Sequence, residues 1–497
     1  MKSILVFGAG KSATVLIDYL KKTIEEQGWA LVVADSNLQA AKEKTGNQPG
    51  AKAVEVNIGN EAERRALVQQ ADLVISLMPP VLHHLLAADC LQFNKHFLTA
   101  SYVDENMQKL AAEIKQKNLL FLCEMGLDPG IDHMSAMQLV NKIKQQGGVI
   151  TSFKSHCGGL TAPESDDNPW RYKVSWNPRN IVLAGKAGAR YKENGIETTK
   201  TYQQLFDFTN RVDVPGLRSY SFYPNRDSLS YIPLYGLQQA STFIRTTLRH
   251  PEFCFGWKNV VDLHLTSEEK VYDTDGMPLK TFFKTHFENN GFAEWFRDML
   301  AGTLKTTKLL MHSLERLMEI ALSEDEEVRK EMMVVDEKGN LCNLTLEDVK
   351  NTASEAAAAH MYTTKLVMEQ LMFLGMNDET LINKGLCSAA DVMQFILETK
   401  LALQPHDKDM IVMLHEFEYL LHNTPRSLRS SLVVKGKNAV HTAMAKTVGL
   451  PLGIAAKLIL QGIITATGLH IPTAPSIYEP VLQELALHDI LFIEYED

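Results

Sequence analysis

A buried strand that runs straight into a glycine turn, then a helix, then a second strand ending in an acid, constrains this chain more than any other feature. Ser3–Phe7 is apolar after its first residue and leads without a break into Gly8-Ala9-Gly10-Lys11-Ser12-Ala13, after which helix-period spacing begins. In that order G-x-G-x-x-A has a mechanism. Gly8 permits the tight turn, Gly10 lets the backbone approach a pyrophosphate, and small Ala13 lets the helix pack close to its strand. The helix N-terminus then offers its free N–H groups to the phosphates. A second apolar run, 31–34, ends in Asp35, whose carboxylate can accept from both ribose hydroxyls and repels a 2′-phosphate. The expected ligand is a dinucleotide, NAD ahead of NADP. A lone glycine pattern would describe a plain strand-to-helix turn equally well; the flanks and the acid separate the two readings.

The rhythm continues to residue 123. Apolar runs at 53–57, 73–77, 95–99 and 119–123 alternate with helix-period segments at Glu61–Gln70, 82–93 and Glu105–Gln116. Strands spaced by helices imply right-handed crossovers and a parallel sheet covered on both faces. The expected class is α/β, a Rossmann-type doubly wound parallel sheet. Ligand-contacting residues in such sheets lie just beyond the carboxyl ends of the strands. Three strand ends here carry distinctive chemistry: Ser76-Leu77-Met78-Pro79-Pro80, Thr99-Ala100-Ser101-Tyr102 and Glu124-Met125-Gly126-Leu127-Asp128-Pro129-Gly130. From residue 149 the texture changes. A strand is expected at 149–158, followed by stretches rich in Gly, Pro, Asn and Trp at 158–179 and in polar and aromatic residues at 220–236. Helical periodicity at 294–320, 346–374 and 389–401 implies an almost all-helical insert. Strands are expected again at 410–421 and 430–435, and a helix over 439–460.

Composition excludes several classes. A chain of 497 residues has room for more than one core. A formal net charge of −10, with no run of Lys or Arg, argues against a nucleic-acid surface. Six scattered cysteines with no C-x-x-C pair indicate neither a zinc site nor a disulfide framework. The chain opens directly in a strand, so no targeting segment is expected, and no apolar run is expected to span a bilayer. A cytoplasmic setting fits these features.

Several long blocks then carry a resemblance: GAGKSATV, ISLMPP, TASYVDENM, EMGLDPGIDHM, HCGGLTAPESDDNPWRYKVSW, YPNRDSLSY, TTLRHPEF, HDKDMIVM and AMAKTVGLPLGIAAKLILQG. In this order they resemble the saccharopine dehydrogenases of the L-glutamate-forming type. The resemblance covers the chain except the helical insert, where it is weaker. It implies oxidation of saccharopine at its secondary amine, with hydrolysis of the imine to L-glutamate and 2-aminoadipate 6-semialdehyde. It also implies three parts: a dinucleotide-binding domain of 1–131 with 438–497, a mixed α/β substrate domain of 132–285 with 402–437, and a helical insert of 286–401. Carried over by motif, cofactor contacts fall on Gly8, Gly10, Lys11, Ser12, Ala13, Asp35, Ser36, Asn57, Ile58, Leu77, Ala100, Ser101, Leu127, Asp128, Pro129 and Ser175. Substrate contacts fall on Ser101, Tyr102, Asp128, Arg226, Thr247, Leu248 and Arg249, and catalytic roles on Tyr102, Asp128 and Cys157. No metal is implied, and a homodimer is compatible with the resemblance.

The chemistry of such a substrate agrees with the residues. Saccharopine is a tricarboxylate with two amines, so a pocket for it needs fixed cations and at least one anion. Arginine suits that task because its planar fork grips a carboxylate with two bonds. Arg226 and Arg249 stand in the relevant blocks, and Arg171 and Lys173 lie in WRYKVSW, where a solvated charge or an ordinary ion pair is the competing reading. Asp128, Tyr102, His133 and Cys157 are the candidates for moving protons, His133 reading more readily as a packed or capping histidine at a helix start. Two blocks depart from the family pattern. The usual Tyr-Cys-Gly-Gly-Leu-Pro-Ala-Pro-Glu is here His156 to Glu164, with His first and Thr161 for proline, and Gly-Thr-Leu-Arg-Tyr is here Thr246-Thr247-Leu248-Arg249-His250. Fungal members carry an arginine just after the position of Asp35, where this chain has Ser36. A different carboxyalkylated amine such as carboxynorspermidine, and a dinucleotide-binding regulator without catalysis, are the alternatives.

Overall fold

The computed structural model describes residues 1–297 and 362–496, together with two short strands, Met333–Val335 and Leu341–Asn343. It divides into two compact units, Met1–Phe255 with Leu397–Asp497, and Gly256–Ile396. The first unit opens with β1 (Ser3–Phe7), α1 (Ala13–Gln27), β2 (Ala30–Asp35), α2 (Leu38–Thr45), β3 (Ala51–Glu55), α3 (Glu61–Gln70), β4 (Leu73–Ser76), α4 (His83–Phe93), β5 (His96–Thr99), α5 (Glu105–Gln116) and β6 (Leu120–Leu122). These strands form a seven-stranded parallel sheet in the order Gly468–His470, β6, β5, β4, β1, β2, β3. Both faces are covered, as the unbroken apolar runs require. Along β1, Ile4 and Val6 enter one core with Leu31, Val33 and Ile75, while Leu5 and Phe7 enter the other with Val74, Phe97 and Phe121. Strand order reverses between β1 and β4, so the turn after β1 and the loop after β4 flank a crevice.

α6 (Ile131–Gln145) leads from this sheet into β7 (Gly148–Thr161), a central strand of a second, mixed sheet. Its order is Arg211–Asp213, Ser219–Pro224, Thr242–Arg249, β7, Asp409–Leu421, Thr424–Lys435, Ile493–Glu496, with the hairpin Ala189–Glu193 and Ile196–Lys200 attached to Thr242–Arg249. The terminal strand Ile493–Glu496 therefore pairs within the mixed sheet, while Gly468–His470 just before it completes the parallel one.

The helix expected over 439–460 runs from Ala443 to Gln461, because two caps fix its start. The Thr442 hydroxyl accepts from the Ala445 N–H at 2.9 Å, and the buried Asp409 carboxylate accepts from the N–H groups of Ala443 (2.6 Å) and Met444 (2.9 Å). This helix also corrects the expectation that no apolar run could span a bilayer. It is 19 residues long with a mean hydropathy of 1.5, enough by length and composition. In the fold 83% of that window is buried, packed on α1 as a core helix.

In the second unit, Lys270–Asp273 pairs antiparallel with Leu386–Ser388, and Leu279–Asn289 is a helix whose His286 ring bonds the Tyr272 hydroxyl at 2.7 Å. Met333–Val335 and Leu341–Asn343 also pair antiparallel, so the region expected to be almost all-helical contains strands. The helix expected at 389–401 is present as Ala389–Lys400. The periodic segments at 298–320 and 346–361 lie outside the described residues.

Candidate active site

The glycine turn is built for close approach to a ligand. Gly8, at φ +106°, donates its N–H to the Ala34 carbonyl at 2.9 Å, and a Cβ there would crowd Leu77 at 3.2–3.3 Å. A Cβ on Gly10, by contrast, meets nothing within 4 Å, so the space beyond its backbone is open. Lys11 is exposed and Ser12 half-buried at the N-cap of α1, where its side chain makes no capping bond, leaving first-turn N–H groups facing the crevice. Asp35, at the end of β2, is fixed by the turn itself. Its carboxylate accepts from the Ala9 N–H at 2.7 Å and from the Asn37 N–H at 2.8 Å. Exposed Ser36 and Asn57 and half-buried Ile58 follow β2 and β3, and Leu77, Ala100 and Ser101 follow β4 and β5. All of these lie at the carboxyl rim, and the open approach at Gly10 fits a pyrophosphate.

Behind Ser101 is a relay that the sequence reading missed. The buried His83 ring bonds the Ser76 hydroxyl through Nδ1 and the Ser101 hydroxyl through Nε2, both at 2.8 Å. Burial lowers its pKa to about 4, so the ring is neutral and its tautomer is set by the two hydroxyls. It fixes where Ser101 points.

The second constellation lies where the loop after β6 meets the mixed sheet. Gly126 to Ile131 form a tight knot: the Gly126 N–H donates to the Pro129 carbonyl at 3.0 Å and the Ile131 N–H to the Gly126 carbonyl at 2.9 Å. Gly130 is obligatory here, since a Cβ would lie 2.0 Å from the Gly126 oxygen. The knot presents Asp128 and, in the first turn of α6, Asp132, whose carboxylate accepts from the Gly130 N–H at 2.6 Å. Arg245, from the strand Thr242–Arg249, reaches both: a single guanidinium nitrogen, Nη2, lies 2.5 Å from Asp128 and 2.8 Å from Asp132. The Tyr102 hydroxyl stands 3.5 Å from Asp128. Its ring lies between two guanidinium groups, Arg226 at 4.9 Å and Arg245 at 5.9 Å, and Arg245 also covers the Tyr231 ring at 4.5 Å.

In front of these rings is a cavity of about 310 Å³ lined by Tyr102, Tyr231, Arg226, Asp227, Arg190, Ser230 and residues 187–189. Arg226 takes a left-handed backbone (φ +52°) and is exposed, with no ion pair among the described residues. Its fork is free for an anion. Burial pushes the Asp128 carboxyl up to about 6, against the lowering effect of Arg245. Burial also raises the Tyr102 phenol, which stays protonated and donates. A neutral phenol, a carboxylate that titrates near 6 and a free arginine suit a substrate bearing a carboxylate close to an amine.

Comparison with known proteins agrees. Residues 4–122 match the family model described as "Saccharopine dehydrogenase NADP binding domain", and residues 126–490 match "Saccharopine dehydrogenase C-terminal domain". The chain belongs to the saccharopine dehydrogenase family. The alpha-aminoadipic semialdehyde synthase of Arabidopsis thaliana is 30% identical over 99% of this chain, which spans only 44% of that protein, under half its length. The NADP(+), L-glutamate-forming saccharopine dehydrogenase of Pyricularia oryzae is 28% identical over 97% of this chain and 96% of its own. Among solved structures, the apo L-Glu-forming saccharopine dehydrogenase of Saccharomyces cerevisiae aligns over 100% of both chains at a TM-score of 0.76 and 26% identity.

Within this saccharopine dehydrogenase fold the remaining expected residues separate. Leu127 and Pro129 are buried in the knot beside Asp128. Leu248 is 0% exposed, its side chain in an apolar cluster with Leu160 and Met410, away from the cavity wall. Arg249 is also buried; it donates to the Leu248 carbonyl at 2.9 Å and stacks over Tyr172 and Phe253 rather than lining the cavity. Thr247 pairs with Cys157 across the sheet. The Cys157 thiol is buried and pushed well above its usual range, so it carries no thiolate at neutral pH. Ser175 bonds the Asp409 carboxylate that caps the 443–461 helix. Arg171 pairs with Asp166 and Glu252, and Lys173 with Asp167 and Asp407, the ordinary ion pairs that were their competing reading. His133 is fully buried between the Tyr235 hydroxyl (2.6 Å) and Glu124 (2.8 Å), a packed histidine as its helix-start position suggested. Arg245, Glu124 and His83 were not expected. Only the two arginines four positions apart on one face of an apolar strand, Arg245 and Arg249 in FIRTTLR, signalled that a cation points inward.

Proposed function

We propose that this chain catalyses NAD-linked oxidation of saccharopine to L-glutamate and 2-aminoadipate 6-semialdehyde, in lysine metabolism. The observation that carries the reading is the unpaired Arg226 guanidinium stacked on Tyr102 at the cavity wall, with Asp128 within reach of the Tyr102 hydroxyl. Arg226 takes a substrate carboxylate by its fork. Asp128 receives the cationic secondary amine and then its proton, since a carboxyl titrating near 6 is ionised at neutral pH and still basic enough to accept one. A dinucleotide held by the turn Gly8–Ala13 and Asp35 would supply the hydride acceptor for the amine-bearing carbon that becomes the aldehyde. With that one proton on Asp128, the C–H pair leaves as hydride and the nitrogen lone pair forms the C=N bond of a protonated imine. Water then adds to the imine carbon, and the C–N bond breaks with the nitrogen leaving as the amine of glutamate. Tyr102, held protonated, donates a hydrogen bond to the developing oxygen or nitrogen.

On this reading residues 1–131 with 438–497 serve the cofactor, 132–285 with 402–437 the substrate, and 286–401 form an insert. The Asp35 geometry favours NAD, whereas the fungal relatives are named for NADP(+). Product analysis tests the proposal. Saccharopine with either dinucleotide should yield L-glutamate and the semialdehyde in equal amounts, faster than carboxynorspermidine is oxidised. Preference for the polyamine, or no turnover of either amine, overturns it.

A further inference from the structure

The mode of Arg245 is unusual for a buried arginine. Its side chain is 1% exposed, yet it makes no fork-to-fork pair. One nitrogen, Nη2, serves two carboxylates on either side, while Nε and Nη1 have no hydrogen-bond partner among the described residues. Their compensation comes from the ring faces of Tyr231 and Tyr102. The register makes this arrangement rigid. Arg245 sits in the middle of a strand paired with β7 opposite Ser155, its N–H donates to the Ser228 hydroxyl at 3.0 Å, and its carbonyl accepts from the Asn225 N–H at 2.8 Å. Asp132 is equally fixed by the Gly130 N–H. Asp128 is the more exposed of the two carboxylates, with 12% of its side chain accessible against 2% for Asp132.

We infer that Arg245 is a positioning residue: shared between Asp128 and Asp132, it aims the Asp128 carboxylate and leaves the trio one net negative charge that attracts a cationic amine. Two carboxylates against one guanidinium give a net charge of −1, in a place from which water is largely excluded, so an incoming ammonium meets a strong, directed attraction. Asp132 acts as a fixed ballast that prevents Arg245 from neutralising Asp128 completely. The inference rests on the reading of Asp128 as the group that receives the substrate amine. It adds two residues to which the sequence reading gave no role, and it predicts opposite effects from two neighbours.

The groups facing Asp128 are Arg245 from the strand, Asp132 and His133 from α6, Arg226 from the loop after Ser219–Pro224, and the Tyr102 hydroxyl after β5. Tyr235 and Cys157 also face it, and both stay neutral because burial holds their protons. Removing Arg245 takes away positive charge and must raise the Asp128 midpoint. Removing the charge of Asp132 takes away negative charge and must lower it.

The test is a carbon-13 titration of the Asp128 carboxyl in the cofactor-free protein, assigned by its loss in Asp128→Asn. The wild-type midpoint is expected near 6. Arg245→Gln should move it up by about one unit or more, and Asp132→Asn should move it down by about as much. General loosening of the core would move both the same way. Shifts of the same sign, or a midpoint unmoved in Arg245→Gln, overturn the inference. If Arg245→Gln does not fold, Asp132→Asn decides alone: an upward or absent shift overturns it. The titration needs no turnover, so opposite shifts in a protein that fails to oxidise saccharopine would uphold Arg245 and reject the substrate.

Discussion

At the scale of single residues, Gly10 and Asp35 separate two requirements of the cofactor site. Gly10 has open space where a side chain would project, so Gly10→Val should leave the fold intact and abolish cofactor binding. Fluorescence titration with NADH checks this; unchanged affinity on a folded variant would place the dinucleotide elsewhere. Asp35 is held by the Ala9 and Asn37 N–H groups, so Asp35→Ser with Ser36→Arg keeps a hydroxyl acceptor in the turn while admitting a 2′-phosphate. Preference should shift towards NADP by about tenfold or more, near 1.4 kcal/mol, as read from kcat/KM with each cofactor. Arg226→Lys keeps the charge but loses the fork, and kcat/KM for saccharopine should fall about 10- to 150-fold with cofactor affinity unchanged. Wild-type efficiency in that variant would remove Arg226 from substrate recognition. Gly8, Gly10 and Asp35 were legible because turn chemistry is local: six residues and two strand ends define it. Arg245 was not, because its meaning depends on Asp132, 113 positions away, across a helix-to-sheet packing that no window of sequence contains.

At the scale of elements, the periodic segments of the parallel sheet were legible wherever an apolar run was buried on both faces, and boundaries moved where a cap intervened. The 443–461 helix begins at Ala443 because Asp409, from a distant strand, accepts from its first N–H groups. The strand Thr424–Lys435 extends well before the expected 430 because Thr424 to Arg429 pair with Asp409–Leu421 as a hairpin whose outer residues are polar. Backbone pairing, not hydrophobicity, defines that half. Asp409→Ala should therefore destabilise the first unit by about 1–3 kcal/mol, since it removes a buried charged cap and strands two N–H donors. Urea unfolding followed by circular dichroism measures it; a loss below about 0.5 kcal/mol would assign the helix start to Thr442 alone.

At the scale of the whole molecule, three buried histidines tie stability to pH. Burial lowers His83 and His250 to about 4 and His415 to about 3. Each is neutral in the native state, whereas the unfolded chain takes up protons below about 6.5. Between these values the unfolded state binds more protons, so stability is full above pH 6.5 and falls as the pH drops towards 4. Each histidine contributes about 1.4 kcal/mol per pH unit in that window. Asp128, raised to about 6, and Asp409, also raised by burial, work in the opposite sense over part of it, two groups against three. The urea midpoint should thus decline steadily from pH 6.5 to 4.5, and a flat profile would mean that these rings protonate in place.

The central claim joins the open glycine turn to the Arg226–Tyr102–Asp128 constellation as one site for oxidising a carboxylated secondary amine. The most direct measurement is nicotinamide absorbance on mixing the wild-type protein with saccharopine and NAD across pH 5 to 9. Reduction should appear, with kcat/KM falling tenfold per unit below an acid limb near 6 and absent in Asp128→Asn. No reduction with NAD or NADP at any pH, or full activity in Asp128→Asn, would contradict the account.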